Sequence, residues 1–144
     1  MAAFEGCTSL KEVHIPNGIP FLNREMLKGC DSLLRLSLPP SINVIHEEAI
    51  VSKSLRQLVI EGNAPVVFNT YLLFDCPNLE QLVFLKNPPR DPFKKLLKIV
   101  VARPTIYYHR SYARLWAPNG ETEWYGFPLV PIDSLNDLPP ITGI

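Results

Sequence analysis

The 144-residue sequence lacks the features that mark several classes of protein. Its longest apolar runs, such as 99–102, are far shorter than the roughly 18 residues of a membrane-spanning helix. The first seven residues contain neither a basic n-region nor an apolar h-region, so no signal peptide is visible. Three cysteines, an odd number, do not make a disulfide framework. We therefore expect no membrane insertion and no disulfide-stapled fold.

Motifs for catalysis and ligand binding are also missing. The sequence contains no Cys-x-x-Cys, P-loop, Gly-x-Gly-x-x-Gly or Gly-x-Ser-x-Gly motif, and its histidines lie far apart without the spacing of metal ligands. We therefore expect no enzyme activity, no cofactor and no metal. Basic and acidic residues number 14 each, and this zero formal charge excludes nucleic-acid binding through net charge alone.

What the sequence does contain is an internal repeat. Four segments share the pattern L-x-x-ϕ-x-ϕ, where ϕ is apolar, and they begin at Leu10, Leu33, Leu55 and Leu79. A period of about 23 residues with this pattern is typical of solenoids that form one strand and one return segment per turn. Because a single turn cannot bury its own apolar face, neighbouring turns must stack on one another.

The alternation within each segment predicts which side chains face the core. Two internal ladders are expected: Val13, Leu36, Leu58, Leu82 and Ile15, Leu38, Ile60, Phe84. Two columns should face the opposite, concave side: Glu12, Arg35, Gln57, Gln81 and His14, Ser37, Val59, Val83. Truncation of the inward Leu58 to alanine is expected to cost about 2–5 kcal/mol. Truncation of the outward Val59 is expected to cost within about 0.5 kcal/mol.

The repeats resemble leucine-rich repeats of the BspA-like subclass. The segment AFEGCTSLKEVHIP at 3–16 follows that subclass's pattern AF-x-x-C-x-x-L-x-x-I-x-I-P, and the phrase Cys76-Pro77-Asn78-Leu79 repeats part of it. The resemblance covers residues 2–88. It implies an α/β-type repeat fold, a leucine-rich repeat solenoid with a curved parallel β-sheet and short irregular or helical return segments. The third unit departs from the pattern because it lacks the cysteine.

The sequence divides into three regions on this basis. Residues 1–88 form about four repeats, and residues 89–132 form a C-terminal closing segment with a strand near 105–108 and a helix near 110–116. Residues 133–144 have no periodicity and are expected to form an extended tail. Because no capping helix precedes the first repeat, we expect a fragment of a longer array and self-association through the uncapped N-terminal end.

Three groups of residues have two interpretations each. Cys7, Cys30 and Cys76 share one column, where buried free thiols are favoured over a disulfide or metal site. The segment 86–114 holds eight basic residues and one acid, where a solvated face is favoured over an anion-binding patch. The C-terminal aromatics, including Tyr108, Trp116 and Trp124, are favoured as the core of the closing segment over a sugar-binding surface.

The resemblance implies a non-catalytic protein-interaction module with another protein as its partner. Members of the family are typically cell-surface or secreted proteins with adhesion roles, and this localisation follows from the resemblance alone. We expect the two concave columns to form the binding surface. The alternative is a carbohydrate-binding module, which exposure of Tyr108, Trp116 and Trp124 in a row would favour.

Overall fold

The protein folds as a parallel β-solenoid of about four turns, followed by a closing segment. A computed structural model describes residues 9–23, 26–27, 30–46, 49–64, 67–68, 75–89 and 102–143. The larger sheet has seven strands in the spatial order β1-β3-β5-β7-β8-β10-β9. These strands are Glu12–His14 (β1), Arg35–Leu38 (β3), Gln57–Ile60 (β5), Gln81–Phe84 (β7), Thr105–His109 (β8), Glu123–Trp124 (β9) and Phe127–Ile132 (β10). Neighbours pair in parallel, apart from the antiparallel pair β9 and β10.

The strand register confirms the first predicted ladder. Val13 pairs with Leu36, Leu36 with Leu58 and Leu58 with Leu82, and the closing segment continues the row. All four side chains are buried, with exposed fractions of 4% or less. The second ladder is confirmed in the same way, since Leu38, Ile60 and Phe84 are in register and buried. The sequence period therefore places one apolar rung of each ladder on every turn.

The return segments contribute a second, smaller parallel sheet that encloses the core from the opposite side. Its three strands lie in the order β2-β4-β6 and are Phe21–Leu22 (β2), Val44–Ile45 (β4) and Val67–Phe68 (β6). Leu22 is paired with Ile45, and both side chains are buried. Each turn thus buries apolar side chains from its main strand and from its return strand in one continuous core.

Polar side chains join the loops of successive turns. The Ser41 hydroxyl donates to the Ile19 carbonyl at 2.8 Å, and the Ser54 hydroxyl donates to the Leu33 carbonyl at 2.7 Å. The Asn78 amide donates to the Lys53 carbonyl at 2.7 Å. These bonds satisfy loop carbonyls that no sheet partner reaches. The stacking is close: a Cβ added at Gly62 would lie 2.6 Å from the Cα of Pro40.

The closing segment adds strands to the end of the solenoid and seals its core with aromatic rings. A 3-10 turn at Arg110–Tyr112 leads into a one-turn helix, α1, at Ala113–Trp116. The Trp116 ring packs against Phe84 and Trp124, with centroids 4.9 Å and 5.0 Å away, and its indole N–H donates to the Lys86 carbonyl at 2.8 Å. Tyr108 and Trp116 are buried, which supports the core interpretation of these aromatics.

At the other end of the larger sheet, β1 is the edge strand among the described residues. The inward side chains of this turn, Val13 and Ile15, are nevertheless buried, and Leu10 is 36% exposed. Phe4 and Cys7 lie outside the described residues. Self-association through this end remains a prediction, and within the described residues its structural basis is the strand edge and Leu10.

Candidate functional site

The two predicted concave columns are in register on the face of the sheet that points away from the main core. Glu12 is paired with Arg35, Arg35 with Gln57 and Gln57 with Gln81. The second column places His14, Ser37, Val59 and Val83 in line, and Tyr107 continues it on β8. The sequence therefore gives the correct strand phase for all eight residues. Their role in binding remains a prediction.

Burial divides these columns into two halves that the sequence analysis does not distinguish. Glu12 and His14 are exposed, and Arg35 and Ser37 are half-buried. The four residues on β5 and β7 are buried, with exposed fractions of 8% for Gln57, 2% for Val59, 3% for Gln81 and 0% for Val83. The expectation that Val59 faces solvent is therefore wrong.

The cause is a second apolar cluster on the concave face. Val59, Val83, Tyr107 and Ile132 pack together there, and Leu138 covers the cluster from the segment after β10. Burial raises the pKa of the Tyr107 hydroxyl above its ordinary value. A sequence signal for this cover does exist. The outward column changes from His14 and Ser37 to apolar residues, and an apolar row on a sheet surface needs something packed on it.

The covering segment comprises residues 133–143, which we call the strap. It leaves β10, forms a 3-10 turn at Leu135–Asp137 and then runs back across β7 towards β3. The Gln81 side-chain amide donates to the Pro139 carbonyl at 2.8 Å. The Thr142 N–H donates to a carboxylate oxygen of Glu80 at 3.1 Å, and a Cβ added at Gly143 would lie 3.5 Å from Leu34.

The polar groups beneath the strap form a short network. Gln57 donates its amide to the Gln81 carbonyl oxygen at 2.8 Å, so Gln81 accepts from its neighbour and donates to the strap. This arrangement satisfies amides that burial would otherwise penalise. Glu80 binds the strap with one carboxylate oxygen, and its other oxygen accepts from Arg56 at 3.4 Å.

The strap leaves part of the concave face uncovered. This open concave surface consists of Glu12, His14, Arg35 and Ser37 on β1 and β3. Glu12 and His14 are 2.9 Å apart and exposed, so their mutual attraction contributes little to stability. Both side chains, together with the guanidinium of Arg35 and the hydroxyl of Ser37, can form hydrogen bonds or ion pairs with a partner. The surface combines donors and acceptors of both charge signs on a rigid sheet.

The cysteine column is buried where the structure describes it. Cys30 and Cys76 are both buried, and Cys76 is an unbridged thiol whose sulfur donates to the Ile50 carbonyl at 3.5 Å. Burial raises the pKa of the Cys76 thiol to about 12. Because the thiolate is the reactive form, Cys76 is inert at neutral pH. Cys7 lies outside the described residues. Among the described residues, no group of three or more His, Cys, Asp or Glu could hold a metal ion.

The basic segment is described only in part. Arg110 forms an ion pair with Asp133 at 3.0 Å, and the Arg103 guanidinium lies over the Phe127 ring at 5.6 Å from its centroid. Both cations thus contact residues of the closing segment or the strap. Arg90, Lys94, Lys95 and Lys98 lie outside the described residues, so the anion-binding interpretation stays untested. Within the described ranges, no helix is long and apolar enough to span a bilayer.

A parallel solenoid whose turns each contribute one L-x-x-ϕ-x-ϕ strand to a continuous sheet defines the leucine-rich repeat class of proteins. The family model described as BspA type leucine rich repeat region (6 copies) matches residues 1–90, and the chain belongs to this family. The match spans the repeats and ends before β8. No curated protein and no solved structure matches the chain. Repeats of this class suggest protein–protein interaction and are typically non-catalytic.

Proposed function

We propose that this protein is a non-catalytic protein-interaction module that binds its partner through the open concave surface. The observation that carries the proposal is the division of the concave face. The strap buries the outward residues of β5 and β7, whereas Glu12 and His14 remain exposed beside Arg35 and Ser37. Of the eight predicted binding residues, these four are the ones a partner can reach without moving the strap.

The sheet beneath this surface supports such a role. Leu36, directly between Arg35 and Ser37 on β3, is fully buried, and Val13 holds the same place between Glu12 and His14. The backbone that carries the four side chains is therefore fixed before binding. A fixed surface loses less conformational entropy on association than a mobile loop. Mixed charges favour a partner patch that offers both an acid and a base.

The carbohydrate-binding alternative depended on exposed aromatic rings. Tyr108 and Trp116 are buried, and Trp124 is half-buried against Trp116. A sugar-stacking surface needs accessible ring faces in a row. Since no observation favours this alternative, protein interaction is the function that we propose.

We further propose that the module belongs to a cell-surface or secreted protein with an adhesion role. Its support is the resemblance of the repeats to the BspA-like subclass. Antibody labelling of intact source cells tests this placement: labelling without permeabilisation supports it, and labelling only after permeabilisation contradicts it. Self-association through β1 is a separate proposal, since an edge strand offers unpaired backbone groups. A mass above 16.3 kDa in light scattering at high concentration would support it.

Binding through the open concave surface is tested with charge reversals. The full chain is presented to an array of extracellular proteins, and each hit is titrated against Arg35→Glu and His14→Glu. Lys53→Glu is the matched control, because Lys53 is exposed in a loop away from the open concave surface. We expect a hit whose affinity falls at least about tenfold in the two surface variants. Equal affinity for all variants, or reproducible turnover of a substrate, contradicts the proposal.

A further inference from the structure

The strap is attached to the concave face by few contacts. Two hydrogen bonds join it to β7 and its flank, one from Gln81 to Pro139 and one from Thr142 to Glu80. Leu138 is half-buried on the apolar cluster, and Ile141 is buried. Most other strap residues are exposed, among them Leu135 at 44%. Segments with few buried contacts open locally at a small fraction of the global unfolding free energy.

The surface beneath the strap, by contrast, cannot remain empty. Val59, Val83 and Tyr107 form an apolar row on the outside of the sheet, and loss of the strap would expose it to water. Beside this row, the Gln81 amide and the Glu80 carboxylate offer a donor and an acceptor to main-chain groups. We call this surface the strap groove. Its chemistry suits an extended segment with an apolar side chain and a free carbonyl and N–H.

The strap is also an incomplete occupant. The Nε–H of Arg56 is buried and has no hydrogen-bond partner among the described residues, although Arg56 stands beside Glu80. A buried donor without an acceptor costs stability. An occupant that supplied one more acceptor there would therefore bind more tightly than the strap does.

We propose that the strap groove is a peptide-binding site that the strap closes in cis. Its ligand is an extended peptide of the strap's own chemistry, with an apolar residue followed by proline, as in Leu138-Pro139-Pro140-Ile141. The strap reaches the groove at high effective concentration, because it is attached to β10. A peptide in solution binds only the fraction of molecules in which the strap is released, so weakening the strap raises the peptide's apparent affinity. This site shares no residue with the open concave surface, so either proposal can fail alone.

The test uses the full chain and a fluorescent peptide with the sequence of residues 133–143. Two variants weaken the strap and leave the groove intact. Thr142→Pro removes the N–H that donates to Glu80, and Leu138→Asp places a charge against the apolar cluster. Each has a matched control. Thr142→Ala keeps the N–H, and Leu135→Asp makes the same change at an exposed position of the strap.

We expect both strap variants to bind the peptide at least about tenfold more tightly than the wild type, and both controls to bind as the wild type does. A peptide carrying Asp at the position of Leu138 should not compete. If Leu138→Asp loses its native circular dichroism, Thr142→Pro decides the test alone. Peptide binding to Thr142→Pro no tighter than to the wild type overturns the proposal and makes the strap a fixed part of the fold.

Discussion

The two-sided burial of the larger sheet is tested by truncating adjacent residues of β5. Leu58 faces the main core and is fully buried, and Val59 faces the strap groove with 2% of its surface exposed. Leu58→Ala removes three carbons and Val59→Ala removes two. At about 0.8 kcal/mol per buried methylene, the transfer terms are about 2.4 and 1.6 kcal/mol. Because residual cavities add to both, we expect losses of about 3–4 kcal/mol for Leu58→Ala and about 1.5–2.5 kcal/mol for Val59→Ala.

Urea denaturation followed by circular dichroism measures both free energies of unfolding. The midpoints should fall while the slope with urea stays that of the wild type. Val51→Ala is the matched control, since Val51 is 61% exposed and the same change there should cost within about 0.5 kcal/mol. If Val59→Ala behaves like this control while Leu58→Ala loses stability, the strap does not cover β5 and the reasoning is refuted.

Three further predictions concern the turns, the cysteines and the aromatic seal. Gly62→Ala should destabilise the fold by about 1–3 kcal/mol in urea, because its Cβ would lie 2.6 Å from the Pro40 Cα; stability equal to the wild type would disprove this close approach. The raised pKa of Cys76 should lower the free energy of unfolding as the pH rises above 9 towards about 12, because the unfolded thiol ionises first; Cys76→Ala should reduce that slope in pH-dependent urea titrations, and an unchanged slope would contradict it. Trp116→Phe removes the indole N–H and leaves the Lys86 carbonyl without this donor, at a cost of about 1–3 kcal/mol in thermal or urea unfolding; an unaltered midpoint would show that this bond contributes nothing.

The repeat pattern predicts the solenoid because every turn solves the same packing problem. The alternation around Leu36 and Leu58 determines which side chains enter the core, and the strand register follows from stacking identical turns. No periodicity governs the strap, whose position depends on a few contacts with residues distant in sequence, such as Pro139 with Gln81. A local pattern therefore predicts the direction of Val59 but does not reveal what covers it.

The candidate site shows the same limit. All eight outward residues are assigned to the correct face from the alternation alone, because strand phase is a local property. Their accessibility is a tertiary property, and it separates His14 from Val83 although both occupy one column. The apolar identity of Val59 and Val83 is the one sequence feature that indicates a cover.

The division of the concave face is tested most directly by thiol labelling of its two halves. His14→Cys and Val83→Cys place the same probe in one column, exposed in the first case and fully buried in the second. Maleimide labelling of each native variant is measured by mass spectrometry after subtraction of the wild-type background. We predict rapid labelling at position 14 and labelling at position 83 that is slower by about a hundredfold or more, because it requires the strap to open. Equal rates at the two positions in folded protein would contradict a strap-covered half of the concave face.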